Sequence, residues 1–369
     1  MSTKIEWTDE TWNVITGCTL VDEGCRNCYA AELAASRLKN HPSRAGLAKR
    51  NAQGVASFTG EVRFNEDWLD QPLHWKAPRM IFVCAHGDLF HPAVPDDWID
   101  RVFAVMALRP RHTFQVLTKR PDRAREYLSN AYRRIMDIVC DLACDGEFLA
   151  SYAFAISAVP EHDARESTHS ANVVRLHQWP LPNVWLGTSV SDQASADARI
   201  PDLLETPAAK RFVSAEPLLG PVDLGAELIS IKWGFDIAAD CGGGSFSGER
   251  PGLDWVIVGG ESGRRARPMH PDWPRSIRDQ CQTAGTAFFF KQWGTFADHT
   301  ETHANSQNCK GSHDLVILPN GSVIGGGAKG FGGMVDEDWR ERGAAWMCHV
   351  GKKSAGRLLD GREWNEVPT

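Results

Sequence analysis

Seven short apolar runs alternate with helix-like segments along this chain, and that rhythm constrains the fold more than any other feature of the sequence. The runs are TWNVITG (11–17), MIFVCAHGD (80–88), HTFQVLTK (112–119), NVWLGTSV (183–190), KRFVSAEP (210–217), DWVIVGGE (254–261) and TAFFFKQ (286–292). Between them YAAELAASRLKN (29–40), VPDDWIDRVFAVMAL (94–108), a stretch from Asp122, SDQASADARIPDLLE (191–205) and PDWPRSIRDQCQTAG (271–285) carry helical spacing, the last with Gly285 as its stop. Strands alternating with helices predict a parallel sheet, and near-continuous apolar runs predict that both faces are covered. Asp88, Lys119, Ser189, Glu216, Glu261 and Lys291 stand at the C-terminal ends of their strands. A barrel gathers those ends at one mouth, where active sites are built; an open sheet gathers them less well. The expected fold class is α/β, a full or partial (β/α) TIM-type barrel of parallel strands with loop insertions.

Residues 1–297 read as the barrel, with insertions at about 140–181 and 236–252. Residues 298–335 read as an irregular insertion, and 336–369 as a C-terminal extension that packs on the barrel. The net charge of -7 argues against a protein that coats nucleic acid non-specifically, while leaving room for a local basic groove. The first residues, MSTKIEWTDE, hold no apolar signal core, and no run approaches ~18 uninterrupted apolar residues. The expectation is a cytoplasmic protein with no membrane partner. Ten cysteines in such a chain point to a metal-binding subset rather than a disulfide framework.

That subset lies in TGCTLVDEGCRNCYA (16–30), where Cys18, Cys25 and Cys28 follow a C-x6-C-x2-C spacing. A structural zinc site takes four protein ligands, so a distant histidine completing a Cys₃His site is one reading. The other is a [4Fe–4S] cluster, in which three cysteines leave one iron open. S-adenosylmethionine (SAM), with its amino and carboxylate groups, is a cofactor able to chelate that iron.

IEWTDETWNVITGCTLVDEGCRNCYA, followed in order by MIFVCAHGDLFHPAVP, FQVLTKRP, VWLGTSVSDQASADARI, RFVSAEPLLGPV, VIVGGESG, FFFKQWG and KSAGRLLDGREWNEVP, resembles the phage- and bacteria-associated three-Cys-motif family of radical-SAM-like proteins. The strand motifs are also similar to those of the spore photoproduct lyase-like branch of the radical SAM superfamily, whose usual cysteine spacing is C-x3-C-x2-C. The resemblance implies an enzyme that cleaves SAM reductively and abstracts hydrogen from an unidentified substrate. It further implies an electron donor and a neighbouring-gene partner protein. Carried onto this chain, it places the cofactor against Tyr29, against His86, Gly87 and Asp88 at the end of the second core strand, and against Thr188 and Ser189 at the end of the fourth. The alternative is a non-catalytic barrel stapled by zinc or an iron–sulfur cluster.

Charged groups at the remaining strand ends suggest the chemistry around such a centre. Glu216 is expected to accept from ribose hydroxyls or to position substrate, and with Glu261 and Lys291 it forms the candidate catalytic set. Lys119, Arg120, Arg264 and Arg265, with Arg267 close by, suit a phosphate- or carboxylate-bearing substrate. Trp293 offers a face for a base, so a nucleotide or nucleic acid is the substrate class considered. Cys84 reads as packing, as do Cys140 and Cys144, one helical turn apart; His299, His303, Cys309 and His313 form a loose set with no tight ligand spacing.

Overall fold

The computed structural model describes residues 3, 5–144, 178–237, 244–300, 314–326 and 339–369. Seven strands lie in one sheet: β1 (Glu10–Trp12), β2 (Met80–Val83), β3 (Thr113–Thr118), β4 (Val184–Val190), β5 (Lys210–Ala215), β6 (Trp255–Gly259) and β7 (Ala287–Gln292). Their order in the sheet is their order in the chain, and the pairings are parallel. A doubly wound sheet reverses its strand order at a switch point. Strictly sequential parallel strands with helices between them are the winding of a barrel, so the fold is a partial (β/α) barrel of TIM type.

Residues 1–21, 30–188 and 206–210 form one compact unit, and residues 22–29, 189–205 and 211–369 form a second. In the first unit, the expected strand over 11–17 divides. Glu10–Trp12 pairs with β2, while Ile15–Thr16 turns away to pair antiparallel with Arg63–Phe64. A parallel bridge then joins Gly17 to Gly87, with the Gly17 N–H donating to the His86 carbonyl at 3.1 Å. Both glycines are needed here. Gly17 has φ +98° and a Cβ on it would lie 2.1 Å from the Glu61 carbonyl oxygen; one on Gly87 would lie 2.8 Å from that of Ile15.

Helix α1 is only Tyr29–Ala34, shorter than the sequence suggests. The Ser36 hydroxyl donates to the Glu32 carbonyl at 2.5 Å, and Leu38 N–H reaches back to Leu33, so the chain goes on as turns. Helix α2 (Asp96–Ala107) buries Ile99, Val102, Phe103, Val105 and Met106. The periodic stretch from Asp122 is two helices, α3 (Pro121–Asn130) and α4 (Tyr132–Cys144), with the break at Ala131.

In the second unit, α5 (Gln193–Glu205) starts on a reciprocal cap. Asp192 Oδ1 accepts from the Ser195 N–H at 2.9 Å, and Ser195 Oγ accepts from the Asp192 and Ser191 N–H groups at 3.1 and 2.8 Å. Helix α6 (Asp272–Ala284) ends on Gly285 at φ +72°, whose N–H returns to Cys281 and Gln282, as the sequence predicts. Strands β8 (Phe296–Asp298), β9 (Leu315–Ile317), β10 (Val323–Gly326) and β11 (Ala345–His349) make a separate sheet in the order β8-β11-β9-β10. The final residues pair with β7: Asn365 bridges Phe289, and the Phe290 N–H donates to the Trp364 carbonyl at 3.0 Å. His303, Cys309 and His313, and most of the stretches at about 140–181 and 298–335, lie outside the described residues.

Candidate functional site

Parallel register carries the first unit's chemistry to one place. Because Gly17 faces Gly87, the next residues along, Cys18 and Asp88, leave the same end of the strand pair. Arg120 serves both. Its Nη1 donates to Asp88 Oδ2 at 2.7 Å and to Cys18 Sγ at 3.7 Å, and its Nη2 donates to Thr19 Oγ1 at 2.6 Å. Burial alone would lower the guanidinium pKa; the charges of Asp88 and Cys18 outweigh it and raise it. Asp88 also accepts from Thr118 Oγ1 at 2.7 Å and from the N–H groups of Phe90 and Lys119 at 3.0 and 3.2 Å. Four protein donors therefore fill this buried carboxylate, and in this structure its task is to hold Arg120 rather than to face a ligand's ammonium group.

The histidines on either side are neutral. His86 Nδ1 accepts from Arg44 Nε and Nη2 at 3.2 and 2.8 Å, and burial followed by the charges of Arg44 and Arg37 pushes it down to about 4. His91 Nδ1 accepts from the Ala93 N–H, so its proton is on Nε2 and is donated to Thr19 Oγ1 at 3.0 Å. Burial and Arg120 push His91 down to about 4 as well. Thr188 is fully buried and spends its hydroxyl on the Thr118 carbonyl at 2.9 Å, which makes it a strand-to-strand tie instead of a cofactor contact. Lys119 is half-buried.

In the second unit, residues 22–29 form a short loop held from two directions. Asp22 caps the 3-10 turn Glu23–Cys25 through Oδ1 on the Cys25 N–H, and its Oδ2 takes Arg199 Nη2 at 2.5 Å. Arg199 stands on the buried face of α5 and gives its other nitrogen to the Ser189 carbonyl at 2.7 Å. A Cβ on Gly24 would lie 2.1 Å from Ser191 Oγ, so the loop approaches this segment as closely as glycine allows. From the other direction, Glu261 Oε2 accepts from Asn27 Nδ2, Arg267 N–H and Arg267 Nε at 3.1, 2.8 and 2.9 Å, and Oε1 accepts from Arg267 Nη2 at 2.8 Å. The same guanidinium reaches the Glu23 carbonyl at 2.8 Å and its carboxylate at 3.3 Å. Glu261, expected to be catalytic, has its oxygens occupied by protein donors.

Glu216 and Lys291 are brought together. Lys291 Nζ lies 3.0 and 3.3 Å from the two carboxylate oxygens, and Ser214 Oγ donates to one of them at 3.1 Å. The strand between, β6, makes room with Gly259, where a Cβ would lie 2.4 Å from Glu216 Oε1. Arg264 and Arg265 are exposed. Trp293 is not a stacking platform: it is 7% exposed, its ring packs edge-on against Phe290, and its N–H donates to the Leu358 carbonyl at 2.8 Å. Tyr29, at 52% exposure, opens α1.

Cys18, Cys25 and Cys28 form no disulfide and are half-buried. Among the described residues no three His, Cys, Asp or Glu side chains stand together as a metal-binding group. The donor set nevertheless fits an iron–sulfur cluster chemically, since thiols are the ligands such clusters take and hydrogen bonds to sulfur tune them, as Arg120 provides at Cys18. Cys84 and Cys281 differ: burial pushes each up to about 12, which makes them inert packing thiols. The second-unit anchors Asp22, Asn27 and Arg199 escape a reading for motifs; the one signal for Arg199 is an arginine on the apolar stripe Ala196–Ile200–Leu203. Among the described residues no helix is long and apolar enough to cross a membrane. A family model described as "Protein of unknown function (DUF5131)" matches residues 2–368. No curated protein and no solved structure matches.

Proposed function

The chain belongs to the DUF5131 family, proteins of unknown function, and from its own residues we propose that it is a radical SAM enzyme acting on an unidentified substrate. Cys18, Cys25 and Cys28 would hold a [4Fe–4S] cluster. Bound there, the cluster and SAM supply reductive bond cleavage and hydrogen abstraction. The observation that carries the reading is three half-buried cysteines outside any disulfide at C-x6-C-x2-C spacing, with the Arg120 guanidinium on the first sulfur.

The chain's own groups supply orientation. Arg120, held by Asp88 and Thr19, keeps a donor on Cys18 Sγ. Lys291, paired with Glu216, offers an ammonium group at a strand end, and the exposed Arg264 and Arg265 suit an anionic substrate such as a nucleotide or nucleic acid. A one-electron donor is the partner this chemistry requires, and the protein is proposed to work in the cytoplasm.

Anaerobic reconstitution with iron and sulfide tests the reading. The expected product carries about four irons per chain with a visible iron–sulfur chromophore, and under reductant it converts SAM to 5′-deoxyadenosine. Cys18→Ala, Cys25→Ala and Cys28→Ala each lose the cluster, whereas Cys84→Ala keeps it. Near-stoichiometric zinc without a chromophore overturns the proposal and leaves a zinc-stapled binding protein.

A further inference from the structure

We infer that Glu261 and Arg267 are positioning residues whose work is to fix the Cys25–Cys28 segment, rather than to transfer protons. The inference takes its purpose from the cluster reading above. Its geometry stands apart from that reading. Glu261 is buried at the end of β6, and its two oxygens accept four hydrogen bonds, all from Asn27 and Arg267. A carboxylate already engaged by a two-pronged guanidinium is a poor general base, because taking a proton would forfeit the charge-assisted bonds that hold it. Its partner Arg267 continues past it to the Glu23 carbonyl and carboxylate, and Asn27 Nδ2 also ties the loop to the Arg265 carbonyl at 2.9 Å. Glu23, Cys25, Asn27 and Cys28 therefore belong to a six-residue stretch with a fixed attachment at either end of the pair 23 and 27. Breaking a buried charged pair from one side strands the other charge, so the attachment is sensitive to single substitutions.

The arrangement predicts a local effect that is readable without any cofactor. In the full-length apo protein, iodoacetamide alkylation followed by mass spectrometry reports each thiol separately, and amide hydrogen exchange reports residues 22–29. Glu261→Gln and Arg267→Ala are each expected to raise the alkylation rate of Cys25 and Cys28 about tenfold or more, with a matching loss of amide protection. Cys18 and Cys140 are the internal references and stay unchanged. After reconstitution the same variants should load less cluster or give an altered electron paramagnetic resonance spectrum, while their near-ultraviolet circular dichroism matches the parent. Asn27→Ala removes the loop's bonds to Glu261 and to the Arg265 carbonyl and leaves the Glu261–Arg267 pair whole; it decides the matter if the other two fail to fold, with the same rise expected. Unchanged thiol reactivity and protection in folded variants overturn the inference. A parent protein that takes up no iron overturns the proposed function instead, since the apo measurements do not depend on it.

Discussion

Gly259 and Gly260 are adjacent in sequence, yet the structure asks opposite things of them. A Cβ at Gly259 would meet Glu216 Oε1, the movable tip of a side chain, at 2.4 Å; one at Gly260 would meet the backbone oxygen of Trp293 at 2.0 Å. Gly259→Ala is therefore expected to cost under ~1 kcal/mol while swinging the carboxylate off Lys291, seen as faster acylation of that amine by mass spectrometry. Gly260→Ala forces main chain apart and should cost ~1–3 kcal/mol in denaturant melts; equal stability of the two variants would contradict this account. The sequence placed Glu216 and Lys291, with Glu261, at strand ends; the ion pair itself, reaching across the intervening β6, was not legible there. Nor were the engagements of Asp88, Thr188 and Glu261. A single sequence shows where a carboxylate or hydroxyl sits along a strand, but not which backbone donors or acceptors already claim it. Trp293 illustrates the same limit from the apolar side: its position after β7 reads equally as platform or as core, and only the closing tail makes it core.

Among elements, the strand β7 is an edge of the seven-stranded sheet, and the tail occupies that edge. Phe290 N–H donates to the Trp364 carbonyl at 3.0 Å, Glu366 N–H to Phe288 at 3.2 Å, and Trp255 Nε1 to the Glu366 carbonyl at 2.8 Å. The Trp364 ring meets Phe288 edge-on and has the Arg362 guanidinium 3.4 Å from its centroid. Removing residues 361–369 uncovers an unpaired strand edge with two phenylalanines behind it. The expected result is a loss of ~3 kcal/mol or more and a shift to large species on size-exclusion chromatography; unchanged melting and elution would rule out this role for the tail. Element boundaries were the least legible part of the sequence. Apolar run 11–17 looks like one strand, but Asn13 and Gly17 break it: Asn13 spends its side chain on the His86 N–H at 3.0 Å, and Gly17 needs a left-handed backbone. Likewise a single helical period covers 122–144, and the turn at Ala131 leaves no mark in composition.

For the molecule as a whole, buried histidines set a direction for acid sensitivity. His86 and His91 are pushed down to about 4, with burial the first cause, and His112 and His270 are lowered for the same first reason. Between about 4 and the ordinary histidine value of 6.5, the unfolded chain binds more protons than the folded one. Stability is thus complete above that ordinary value, and falls as pH drops through about 4. His86→Asn keeps an acceptor for Arg44 without titrating, and should show a shallower dependence of melting temperature on pH across this window; a slope equal to the parent's would count against the assignment. The alternation that opened the reading of this chain survives intact at this scale, since strand order in space repeats strand order in sequence. That identity has a consequence in time. A ribosome delivers each strand directly after the neighbour it must join, so the sheet is able to grow by accretion at one edge, without waiting for a distant partner. The tail segment is synthesised after every strand, and its pairing with β7 turns the growing edge into a finished one.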